Sequence, residues 1–130
     1  LNHPNLPKDL IPYWDMDQNK LTPTSTYYPR RDLRDASTAA VVASALLELA
    51  QYTPGKTGKF YMRKAEKMIK SLSSSVYSAA YKDNGGFILM HSVGSIPHDT
   101  EVDVPLTYAD YYYVEALIRY LRLLNGESIV

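Results

Sequence analysis

Cysteine is missing from this chain, which excludes disulfides, thiolate metal sites and a cysteine nucleophile while leaving a reducing or an oxidising compartment equally open. A net charge is missing too. Fourteen basic side chains balance fourteen acidic ones, so no overall field attracts nucleic acid, anionic lipid or a polyanion, and polyanion binding would need a local patch. No apolar run is long enough to span a bilayer, and no positively charged start leads into an apolar stretch. These readings make neither nucleic acid nor membrane an expected partner and leave the compartment open between cytoplasm and periplasm. The first residue is Leu1 rather than methionine, as in an excised or processed piece.

Several chemistries lack their parts. The histidines His3, His91 and His98 have no metal-ligand spacing. His91 and Ser92 have neither an acid partner nor a G-x-S-x-G elbow, which argues against a serine hydrolase. The glycine, lysine and threonine at 55 to 57 lack the first glycine and preceding strand of a P-loop. Asp15 and Asp17 lack the glycine and distal glutamate of an EF-hand loop.

What is present is globular: 130 residues, 45% hydrophobic and 22% charged, suit one domain or part of one. Twelve tyrosines stand against two phenylalanines and one tryptophan. Such side chains suit either a half-wet core or helix interfaces that end at a carbohydrate cavity. Residues 1 to 34 hold prolines at 4, 7, 12, 23 and 29 and show no sustained period. Proline removes amide donors and extends the residue before it, so the expectation is a long irregular arm that needs a surface to lie on. Within it, Trp14 reads as an aromatic anchor or a sugar-stacking ring, with Asp15 and Asp17 capping amides. Arg30, Arg31 and Arg34 could clamp a substrate carboxylate or pair with Asp32 and nearby backbone.

Three helices follow. The first, 36 to 52, is apolar almost all round, with Asp35 placed as its N-cap, and reads as an inner-layer helix. After a turn over 52 to 58, residues 59 to 72 are two-faced, with Tyr61, Ala65, Met68, Ile69 and Leu72 opposite Lys59, Arg63, Glu66, Lys67 and Lys70. This is an outer helix with a solvated basic side. A short helix is expected over 76 to 82, a turn at Asp83 to Gly86, a strand-like run over 87 to 90, and a polar loop over 91 to 98. From 101 an extended stretch leads into the longest helix, whose Ala109, Tyr112, Tyr113, Ala116, Leu117, Tyr120, Leu121 and Leu124 recur at spacings of three and four. That face must be buried. Thr107 and Asp110 read as a capping start, Glu115 with Arg119 as a helix-stabilising pair, and Gly126 as the stop.

Four ordered blocks carry a family resemblance: Ile11-Pro-Tyr-Trp-Asp-Met-Asp17; Arg34-Asp-Ala-Ser-Thr-Ala-Ala40 leading into Ala45-Leu-Leu-Glu-Leu49; Gly86-Phe-Ile-Leu-Met-His-Ser-Val-Gly94; and Asp103-Val-Pro-Leu with Tyr108-Ala-Asp-Tyr-Tyr and Val114-Glu-Ala-Leu. In this order they resemble the C-terminal end of the unsaturated glucuronyl hydrolases, glycoside hydrolase family 88. The resemblance implies an all-α chain whose helical hairpins form part of an (α/α)6 barrel, with the arm over 1 to 34 and the helical segment over 35 to 130. It implies hydration of the double bond of a 4,5-unsaturated uronic acid left by polysaccharide lyases, after which the hemiketal collapses and releases the neighbouring sugar. An aspartic acid serves as general acid and base, a second aspartate supports it, and no metal or organic cofactor takes part.

Both catalytic aspartates of that family lie before the first residue seen here. Asp15, Asp17, Asp32, Asp35, Asp103 and Asp110 do not align with them, so no catalytic residue is assigned and the chain is expected to be inactive alone. Ser92 and Ser95, in the loop that matches the leaving-sugar side, are the candidate substrate contacts, with His91 beside them; as simple turn-capping residues they would do nothing of the kind. The implied partner is an unsaturated oligosaccharide, met through the full-length parent. The inner apolar faces lack partners, so either a homo-oligomer covers the gap or the arm folds over it. The rival reading is a helical interaction or carbohydrate-binding module without catalysis.

Overall fold

A computed structural model describes residues 1–129. Three long helices dominate it: α1, Ala36–Tyr52; α2, Gly55–Leu72; and α3, Thr107–Leu124. Between α2 and α3 lies an antiparallel two-stranded ribbon, β1 over Ser92–Ser95 and β2 over Thr100–Val104. The helical expectation holds, with the ribbon added to it.

α1 sits in the middle because its side chains are small on two sides. Ala36, Ala39, Ala40 and Ala43 are fully buried and let α3 approach with Ala109, Tyr113 and Ala116, while Leu46 and Leu47 meet Ala65, Met68 and Ile69 of α2. Ile11, Leu47, Leu72 and Leu89 are the largest fully buried apolar side chains, each stabilising by about 1.5–3 kcal/mol. Asp35 caps α1: its carboxylate accepts from the Ser37 amide and hydroxyl and from the Thr38 hydroxyl.

The α1–α2 hairpin is tighter than its sequence suggests. Only Thr53 and Pro54 separate the helices, and Gly55 to Gly58, read above as turn, form the first turn of α2. Gly58 makes this possible, because a Cβ there would lie 2.0 Å from the Thr53 carbonyl oxygen. The expected helix over 76 to 82 does not form either; Ser78 instead bridges to Leu89 across a turn.

Residues 1–34 contain only two single 3-10 turns, Gln18–Lys20 and Tyr28–Arg30. This stretch is anchored by its own side chains. Leu10 and Ile11 enter the core, and the Trp14 indole N–H donates to the Arg30 carbonyl at 2.8 Å. Asp9 joins three elements: it pairs with Arg34, accepts from the Tyr77 hydroxyl at 2.9 Å, and its carbonyl accepts from the Ser71 hydroxyl on α2. Burial and the hydrogen bond to Asp9 push the Tyr77 pKa up to about 12. This network holds Leu10 at φ +66°, a left-handed conformation costing a branched residue about 1–2 kcal/mol.

The apolar face expected to be buried on α3 is covered only in part. Ala109, Tyr113 and Ala116 are buried, but Leu117, Leu121 and Leu124 are exposed, as are Tyr111, Val114 and Ile118 on the neighbouring side. The N-terminal stretch does not cover them. Its Leu6 and Leu10 pack against the α1–α2 cluster instead, and an open groove of 680 Å³ runs along α3 past Tyr111, Val114 and Ile118.

Candidate functional site

The ribbon is held against the N-terminus of α1. The Ala36 amide donates to the His91 carbonyl at 3.0 Å, and the Val93 amide donates to the Asp35 carboxylate at 3.3 Å. The Arg30 guanidinium reaches Asp99 from the other side at 2.5 Å. A cleft of 290 Å³ opens beside β1, lined by Asp35, Ser37, Thr38, Val41, Val93 and Tyr108 among others. Its lining mixes the apolar Val41, Val42 and Val93 with Asp35 and the two hydroxyls that donate to it.

Residues 91 to 98, read above as a loop, hold the first ribbon strand at Ser92–Ser95 and a 3-10 turn at Ile96–His98. The alternation is concealed because pairing slips between Ser92 and Val93, and His91, Asp99, Glu101 and Asp103 all take left-handed φ values. Small polar residues tolerate that conformation better than branched ones.

The three candidate contacts are placed differently. Ser95 shares a hydrogen bond with His98 Nδ1 at 2.7 Å, open to solvent. His91 Nδ1 lies 2.8 Å from Asp103 Oδ1, also at the surface, and its ring meets Tyr77 edge-on. Ser92 is fully buried, and its hydroxyl has no hydrogen-bond partner among the described residues. An unsatisfied buried hydroxyl costs about 1–3 kcal/mol.

The arginines do not converge as a carboxylate clamp. Arg30 is bound to Asp99, Arg31 to Asp32 at 3.3 Å, and Arg34 to Asp9. The aspartates are engaged in the same way. Asp15 accepts from the Asp17 amide, Asp17 pairs with Lys20, and Asp110 accepts from the Ile88 and Leu89 amides, both at 2.8 Å. That last contact overturns the capping role read for Thr107 and Asp110: α3 has no side-chain cap, and its N-cap position is Leu106. Among the described residues no three His, Asp or Glu side chains converge as metal ligands do, and no helix is long and apolar enough to cross a membrane.

Sequence reasoning missed two groups. Asp9 gave no signal, being an isolated carboxylate in an aperiodic stretch. The Glu115–Arg119 pair was legible, but not its extension: Arg119 also binds Glu48 at 2.8 Å and the Ser44 carbonyl at 3.0 Å, and the Ser44 hydroxyl donates to Glu115. Ser44 and Glu48, polar residues four apart on an otherwise apolar stretch of helix, were the available clue.

No family model matches the chain. It is 42% identical over 124 residues to an unsaturated glucuronyl hydrolase of Formosa agariphila, a match covering 95% of this chain and 28% of the relative. A solved unsaturated glucuronyl hydrolase specific for heparin is 46% identical and superposes with a TM-score of 0.82, over 95% of this chain and 31% of that one. A further solved relative, 24% identical with a TM-score of 0.73 over 94% of this chain and 30% of its own, is a complex with dGlcA-Glc-Rha-Glc. The chain thus spans about 28% of the length of the curated relatives it matches. By sequence and by fold it matches the C-terminal part of the unsaturated glucuronyl hydrolases, whose structures are (α/α)6 barrels.

Proposed function

We propose that this chain supplies one wall of the sugar cavity of an enzyme that hydrates 4,5-unsaturated uronic acids at the non-reducing end of lyase-generated oligosaccharides. The observation that carries the reading is the co-linear match over 95% of the chain to a named hydrolase. The proton donor and its supporting aspartate come from elsewhere in such an enzyme, since every aspartate that the family blocks bring here is engaged in holding the fold. The chain's own contribution is shape and positioning. Asp35 fixes the main chain of the ribbon at Val93 and Asp110 that of the segment before it at Ile88 and Leu89; Ser95 and His91 lie at the surface, and Val93 lines the 290 Å³ cleft.

In this reading Ser95 and His91 meet the leaving sugar. Ser95 and His91 offer rim hydrogen bonds at the surface, while the fully buried Ser92 contributes by positioning the strand that carries Ser95. The open side of α3 is where the remaining barrel helices pack; in their absence a second copy covers it.

The test mixes the 130-residue chain with the upstream portion of a related hydrolase and follows loss of the double bond's ultraviolet absorbance. Neither part alone turns over an unsaturated disaccharide, and together they do. Sugar binding by this chain without any restored turnover would instead make it a carbohydrate-binding module.

A further inference from the structure

The outward side of α2 carries a groove of 840 Å³ that shares no lining residue with the cleft described above. Arg63, Lys67 and Lys70 stand along it at spacings of four and three, a stripe about 10 Å long at 1.5 Å per residue. Lys8 faces them from the N-terminal stretch. Among the described residues none of these four cations forms an ion pair. Of the groove's two carboxylates Asp9 is already paired with Arg34, which leaves Glu66 alone to offset four cations, so the lining keeps an excess of positive charge.

Like charges one helical turn apart destabilise a helix by a few tenths of a kcal/mol per pair, and Glu66 is the one carboxylate of α2 in the groove set against Arg63, Lys67 and Lys70. We propose that this groove binds a sulfated oligosaccharide chain at a second, non-catalytic site. The arginine fork takes a sulfate or carboxylate in bidentate fashion, and the lysines act as point charges along the same stripe.

Two other polyanions fit the surface less well. Single-stranded nucleic acid needs exposed aromatic rings on which bases stack, but the one aromatic lining the groove, Tyr77, is only 4% exposed. A bilayer needs an apolar flank beside the cations, and the flank of α2, namely Ala65, Met68, Ile69 and Leu72, is buried in the core. The zero net charge of the chain makes the attraction local to this stripe.

The probe is a heparin hexasaccharide with a saturated non-reducing end, which cannot be a substrate for double-bond hydration, so the outcome is independent of the catalytic reading. Calorimetric titration of the 130-residue chain is expected to give saturable binding that weakens with salt and falls at least tenfold in the R63Q/K67Q/K70Q variant. The K56Q/K59Q/K82Q variant, which removes the same charge outside the groove, retains wild-type affinity, and circular dichroism verifies that both variants are folded. Equal losses in the two variants, equal affinity for a fully desulfated hexasaccharide, or tighter binding to an oligonucleotide or to phosphatidylserine vesicles would each overturn the proposal.

Discussion

Replacing Tyr77 by Phe tests the joint between the N-terminal stretch and the helices in two ways at once. The Tyr77 hydroxyl is buried and donates to Asp9, so the variant loses a hydrogen bond to a charged acceptor, at a cost of about 1.5–3 kcal/mol near neutral pH. The second signature is its pH dependence. Burial, reinforced by the Asp9 carboxylate, raises the pKa from 10.0 to about 12. Below pH 10 the phenol is protonated in both folded and unfolded chains, and its stabilisation is fully present. Between pH 10 and 12 the unfolded chain ionises first, so stability falls by about 1.4 kcal/mol per pH unit, or about 2–3 kcal/mol across the window. Phenylalanine has nothing to titrate there. Urea denaturation followed by far-ultraviolet circular dichroism at a series of pH values should therefore show wild type well above Y77F at pH 8, with the gap closing by pH 12. Other titrating groups are common to both proteins and cancel in the difference. A gap that stays constant from pH 9 to 12 would refute the reasoning, because it would mean that the phenol is neither desolvated nor held by Asp9.

Four further outcomes follow from the same contacts. Asp110→Ala removes the acceptor of two amides, one belonging to fully buried Leu89; it should cost about 2–4 kcal/mol and speed hydrogen exchange at Ile88 and Leu89. Gly58→Ala drives a Cβ into the Thr53 carbonyl and should destabilise by about 1–3 kcal/mol, as thermal melts would show. Ser92→Ala removes an unsatisfied hydroxyl and should raise the stability of the 130-residue chain by about 1 kcal/mol, as urea denaturation would show. Sedimentation should find the isolated chain self-associating through α3, and I118K/L121K should render it monomeric.

The helical frame was legible in the sequence because strong periodic signals agree with the caps around them. Asp35 caps α1 as its position suggested, α3 runs from Thr107 to Leu124, and Gly126 takes the left-handed φ of a helix stop. The parts that were not legible depend on contacts far apart in the chain. Gly58 reads as a turn residue until the Thr53 carbonyl is found against it. The ribbon hides because a register slip and four left-handed residues break its alternation. Leu117, Leu121 and Leu124 have the periodicity of a buried stripe, yet periodicity specifies only that a partner is wanted, not that the same chain provides it. At the candidate site, the residue types were readable but not the enclosure of Ser92, which depends on how closely the ribbon lies against α1.

The Asp110 carboxylate holds the 87 to 90 segment by its main chain alone, at Ile88 and Leu89. Of those two side chains only Leu89 is enclosed, so position 88 is free to mutate without loosening the joint. A lineage could rewrite what this edge displays while inheriting the architecture intact.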